Sequence, residues 1–148
     1  MMKKVLIVVF CSLMLCGCSN SGKNVSLTAM SDDVVTLSVG LVQVPKSEVP
    51  SYFNLSEADF ENCAVFVSLS GERTDELAVF KAYDEEGLSN IVSAVNSHLR
   101  EQRAAFRDYA PSEFAKLEKT VVRTDGLYCY YCVSEDAEVK QLLSRYFS

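Results

Sequence analysis

The run from Asp84 to Tyr109 does most to constrain the fold. Leu88, Ile91, Val92, Val95, Leu99, Phe106 and Tyr109 recur on one 3.6-residue face, the pattern of a long amphipathic helix. Asp84 is placed to cap it, and Glu85 and Glu86 fall in its first turn. Arg100, Arg103 and Arg107 lie toward its end, where the macrodipole favours cations. Pro111 ends it or opens the next piece, because Pro disfavours a helical residue before it and suits the first helical position. A long helix with one apolar stripe needs a broad apolar surface to lie on, and the flanking sequence supplies a sheet.

Cys63–Leu69 is rich in β-branched and aromatic residues and predicts a strand. Glu76–Ala82 predicts the returning strand, across a polar loop at Ser70–Asp75. Beyond the long helix, Ser112–Lys119 reads as a short helix carrying Phe114 and Leu117. Thr120–Val133 reads as a second hairpin. With Asp125-Gly126 as its two-residue turn, Val122 pairs with Cys129 and Val121 with Tyr130. Ser134 then caps a last helix with Val139, Leu142, Leu143 and Tyr146 on its apolar side. Upstream, the pattern gives a short helix near Ser26–Thr36 and an extended piece near Leu41–Val44. A short helix over Lys46–Phe53 and a capped turn at Ser56–Asp59 follow. The expected fold class is α+β: an antiparallel sheet from two β-hairpins in ββαββα order, with the long helix and a C-terminal helix beside it packed on the sheet.

The beginning of the chain speaks to location. Lys3 and Lys4 form a basic start, and Val5 to Leu15 are apolar apart from Ser12, which is the layout of a secretory signal. The apolar run is shorter than the roughly 20 residues a spanning helix needs. It ends in Leu15-Cys16-Gly17-Cys18, which resembles the cleavage and lipid-attachment pattern of bacterial lipoproteins. The expectation is a signal peptide over residues 1–17 and a diacylglyceryl group on Cys18. A flexible spacer then runs to residue 25, and one extracytoplasmic domain spans residues 26–148. Two acyl chains anchor stably where one does not. Cys11 and Cys16 would leave with the signal. Loss of Lys3 and Lys4 takes the formal charge from −6 down by two units to −8. An acidic module with no basic cluster argues against nucleic acid, and against charge alone holding the protein to anionic lipid.

Asp75–Ala82, the helix end Phe106-Arg107-Asp108-Tyr109-Ala110-Pro111, Lys116-Leu117 and Gly126-Leu127-Tyr128 before Val133-Ser134 together carry a likeness. From about Pro45 onward the chain resembles a family of small uncharacterised lipoproteins of Gram-positive anaerobic bacteria, one of the domain-of-unknown-function families. The resemblance implies a lipid-attached Cys, a spacer and one α+β domain. It brings no activity and no catalytic residue. The stretch Tyr128-Cys129-Tyr130-Tyr131-Cys132 departs from the mostly aliphatic strand expected of such a family.

Several residues invite chemistry. Cys129 and Cys132 have the spacing of half a zinc site or a redox pair. On a strand, however, residues three apart point to opposite faces, and a closed zinc site needs four ligands. Core packing is the expected role, with a disulfide involving Cys63 as the rival. His98 falls beside Leu99 and is expected at the boundary of the helix, and the Arg100, Arg103, Arg107 stripe on its solvated side. In the second hairpin Arg123, Tyr128 and Tyr130 share a face with Val121, while Val122, Cys129, Tyr131 and Val133 share the other. Either helices cover both faces, or Arg123, Tyr128 and Tyr130 form a binding platform for a protein, peptide or glycan. The expected function is a membrane-tethered, non-catalytic binding module on the outer face of the cell membrane, with no catalytic, metal or cofactor site. The alternative is a small cell-envelope hydrolase whose site is assembled from distant residues.

Overall fold

The computed structural model describes residues 23–37 and 40–148. The proposed signal and Cys18 lie outside the described residues. In order the chain forms α1 (Leu27–Leu37), β1 (Leu41–Gln43), α2 (Val49–Phe53), a 3-10 turn (Glu57–Asp59), β2 (Phe60–Ser68) and β3 (Glu76–Ala82). The long α3 (Glu85–Phe106), α4 (Pro111–Glu118), β4 (Arg123–Asp125), β5 (Tyr128–Val133) and α5 (Ala137–Phe147) complete it. The class is α+β, built on a five-stranded antiparallel sheet in the order β1-β2-β3-β5-β4.

The sheet is covered on both faces, and this corrects one expectation. The terminal helix α5 does not lie beside α3. It packs with α1 over the other face. Under α3, the core is Phe53, Phe60, Phe80, Ile91, Val95, Leu99, Leu117 and Tyr131. Under α1 and α5 it is Met30, Val34, Phe66, Leu77, Val79, Tyr128 and Leu142. Two covered faces explain why β3, the central strand, is apolar without alternation, as a strand buried on both sides must be.

Local chemistry sets the ends of the elements. The Asp84 carboxylate accepts from Gly87 N at 2.8 Å and caps α3. Ser56 and Asp59 form a reciprocal capping box around the 3-10 turn. The backbone oxygen of Asp59 lies only 2.4 Å from where a Cβ on residue 87 would stand, so the turn and α3 meet at a position only glycine fits. The cap of α5 is Asp136, not Ser134. Ser134 Oγ instead accepts from Asp136 N at 3.0 Å, shaping the approach.

The second hairpin corrects the register. Arg123 pairs with Tyr130, Thr124 with Cys129 and Asp125 with Tyr128, so the turn is Gly126-Leu127. Gly126 sits at φ +54° in the first central position, where a side chain is disfavoured. The slip is two residues. Because side chains alternate with period two, the division of residues between faces survives it.

Three assignments on α3 also change. His98 is buried rather than at a boundary. Tyr109 is 66% exposed and lies beyond the helix end. Arg103 does not project from a solvated face: its guanidinium donates to the Leu117 carbonyl (Nη2 at 3.0 Å) and pairs with Glu118, tying α4 to α3.

Candidate functional site

Glu76 opens β3 in phase with Ala78, Phe80 and Ala82, so its side chain enters the α3 face. It is 5% exposed. A carboxylate so buried needs donors, and three elements bring one each. Tyr52 of α2 donates to Oε2 at 2.8 Å. His98 of α3 donates through Nε2 to Oε1 at 2.9 Å. Tyr131 of β5 donates its hydroxyl to Oε1. Burial and the neighbouring Glu76 charge push the Tyr52 and Tyr131 phenols well above their ordinary range, so both stay protonated donors. Carboxylate oxygens accept, so Nε2 of His98 carries the hydrogen. Its Nδ1 has no hydrogen-bond partner among the described residues. The imidazole is fixed further by the Tyr52 and Phe53 rings, with centroids 5.0 and 4.8 Å away.

A cleft of about 290 Å³ lies over this cluster, lined by Tyr52, Ser70, Arg73, His98, Gln102 and Phe106 among others. An ion network braces its rim. Lys116 Nζ lies 2.9 Å from Asp75 and 2.7 Å from Glu113. Glu113 also accepts from Thr74 N at 2.8 Å, and Arg73 pairs with Asp75 at 2.8 Å. Burial alone would raise the Asp75 and Glu113 carboxyls. The bonds from Lys116, with Arg73 on Asp75 and Thr74 on Glu113, outweigh it and hold both below the ordinary range. Burial would lower Lys116, but its two carboxylates raise it instead.

Arg123, Tyr128 and Tyr130 do share a face, on the opposite side of the sheet from Glu76, and α1 and α5 cover much of it. Tyr128 is 3% exposed, and its hydroxyl accepts from Val25 N at 3.0 Å. Tyr130 is half-buried and stacks on Phe147 with centroids 4.0 Å apart. Arg123 is exposed. Tyr130 and Arg123 line a groove of about 480 Å³ with Lys119, Val121, Lys140 and Phe147.

Cys63, Cys129 and Cys132 are free thiols. Cys129 belongs to the α3-side core and Cys132 packs on the other, so the two sulfurs diverge as strand geometry requires. Burial pushes Cys129 and Cys132 up to about 12 and Cys63 up to about 11, which suppresses the thiolate. No cluster of metal-ligating side chains occurs among the described residues.

Sequence reasoning missed Glu76, and it placed His98 without a partner. Both carried a signal. Glu76 is the acid in the inward phase of an apolar strand, and His98 falls on the Ile91, Val95, Leu99 stripe. Their pairing required the strand order, which brings β3 beneath α3.

Fold and site together define a small two-core α+β domain with a fully hydrogen-bonded carboxylate beneath an open cleft. The family model described as Domain of unknown function (DUF4358) matches residues 34–134, and the chain belongs to that family. The match takes in the whole sheet, α2 to α4 and every member of the Glu76 cluster. No curated protein and no solved structure matches the chain.

Proposed function

We propose that this chain is a lipoprotein held on the outer face of the cell membrane by a diacylglyceryl group on Cys18, with a domain that acts as a non-catalytic binding module. The anchor rests on Leu15-Cys16-Gly17-Cys18 and the apolar run before it. The likeness to small lipoproteins of Gram-positive anaerobes is of a piece with this. Cys18→Ala is expected to leave the chain unprocessed or to release it from the lipid fraction. Unchanged mass and detergent partitioning would overturn the anchor.

The observation that carries the binding reading is the bonding of the Glu76 cluster. Its carboxylate is engaged by three protein donors, and His98 is bonded to Glu76 alone among the described residues. A base that works on a nucleophile must reach its hydroxyl or thiol, and no Ser, Thr or Cys of the described residues bonds His98. The cluster serves as a rigid polar floor, and His98 and Tyr52 line the cleft above it as polar contacts for a ligand. A hydrolase is the second reading, favoured by one feature: an acid orienting an imidazole is also how catalytic bases are held.

Crosslinking in intact cells decides between them. A photoreactive residue at Gln102, in the cleft, is expected to yield discrete adducts, and the same residue at exposed Arg100 is not. Turnover of envelope esters, amides or glycosides that His98→Gln abolishes would replace the binding reading with the enzymatic one.

A further inference from the structure

The groove at the β4 edge of the sheet departs from the charge balance of the protein. The chain has 20 acidic and 14 basic side chains, yet the groove is lined by Lys119, Arg123 and Lys140 and by no Asp or Glu. Arg123 and Lys140 have no carboxylate within 4 Å among the described residues. Lys119 has only Glu135, at 3.9 Å and on the exposed surface. Val121 stands at the rim 60% exposed. Cations flanking an exposed apolar residue make a surface suited to a layer that is anionic outside and apolar beneath.

The chain leaves the described domain at this same place. Val25 is pinned by its backbone N–H to Tyr128, and Tyr128 packs edge-on against Phe147 of the groove wall. Lys23 Nζ bonds the Ser148 oxygen, and Ser148 lines the groove. Cys18 is five residues before Lys23, so the attachment point can lie at most about 18 Å away along an extended chain. A tether that short holds this end of the domain near the headgroups, within about two Debye lengths at physiological salt.

Resting on the lipoprotein reading, we propose that the Lys119–Arg123–Lys140 groove docks on anionic phospholipid headgroups of the outer leaflet and sets the orientation of the tethered domain. The acyl chains supply the attachment. The charge distribution sets which side faces the bilayer: the groove, lined by three cationic side chains and by no Asp or Glu, turns toward anionic lipid and the acidic remainder away. Net negative charge opposes free adhesion but not orientation once the tether is in place. The Glu76 cleft, on the other face of the sheet, is not part of the docked surface.

The test is amide hydrogen exchange on the mature lipidated chain reconstituted in vesicles of phosphatidylcholine, with and without phosphatidylglycerol. The expected result is several-fold slower exchange over residues 119–125 and 140–148 with phosphatidylglycerol only. High salt should abolish it, as should the combined exposed-site variant Lys119→Glu, Arg123→Glu, Lys140→Glu with its melting temperature unchanged. Equal exchange in the two vesicle types, or protection that survives the triple variant, would overturn the proposal. So would protection of the same segments in spheroplasts but in neither vesicle, which would assign the groove to an acidic protein partner. Intact mass separates the two ideas. A lipidated chain with indifferent exchange removes the docking proposal alone, whereas a chain with no diacylglyceryl addition removes the anchor and, with it, the orientation it enforces.

Discussion

Glu76 shows how a single buried charge organises its surroundings. Its donors differ in exposure, and their deletion should separate accordingly. Tyr131 is fully buried, so Tyr131→Phe removes a bond that water cannot replace and is expected to cost about 1.5–3 kcal/mol in urea unfolding, the range for bonds to charged groups. Tyr52 is partly exposed, so Tyr52→Phe should cost less. The rim network gives a pH signature. Asp75 and Glu113 are held below their unfolded values, so the stability they contribute is full above about pH 4 and is lost as pH falls through the lower folded values. Lys116 is held above its unfolded value, so its share is full below about pH 10 and is lost as pH rises through the folded value. Lys116→Met should lower stability across that plateau and flatten the fall on the acid side, measured by thermal unfolding as a function of pH.

The elements meet at contacts that substitutions can weigh. Gly87→Ala places a methyl against the Asp59 backbone and should destabilise by about 1–3 kcal/mol, as overpacking does. Leu99 lies at the centre of the α3 core, and Leu99→Ala should cost about 2–5 kcal/mol in chemical unfolding. Arg103→Ala should cost about 1 kcal/mol through the lost bond to the Leu117 carbonyl. An effect near zero would mean that α4 does not depend on this tie. Most of the element pattern was legible beforehand. The period of α3, the strand at Glu76–Ala82 and the face division of β5 follow from residue spacing alone. The turn of the second hairpin was less legible, because Asp-Gly and Gly-Leu are both workable two-residue turns and only pairing across the sheet selects one. Arg103 was misplaced for a related reason: helical phase gives the direction of a side chain but not whether a later helix returns to meet it. The Glu76 cluster needed all three dimensions, since Tyr52, Glu76, His98 and Tyr131 belong to four elements and no local spacing joins them.

At the scale of the whole molecule, one sheet serves two cores. Met30 and Ile91 are both fully buried but lie on opposite faces. They share no cluster, so the costs of Met30→Ala and Ile91→Ala should add within about 0.5 kcal/mol. The double variant should still unfold in one transition, because losing the sheet dissolves both cores. Coincident circular dichroism and tyrosine fluorescence curves would establish this, and separated curves would show that the two faces melt independently. The clasp of Val25 on Tyr128 then acquires a mechanical meaning. Tension on the chain ahead of Lys23 arrives at the Lys23–Ser148 contact, then at that bond and at α1, the outer layer of one core, rather than at the α3 face where the cleft lies. A pull on that segment would therefore load the far side of the sheet. The Glu76 cleft would keep its shape until α1 had been stripped away, as cargo keeps its place while the mooring line takes the strain.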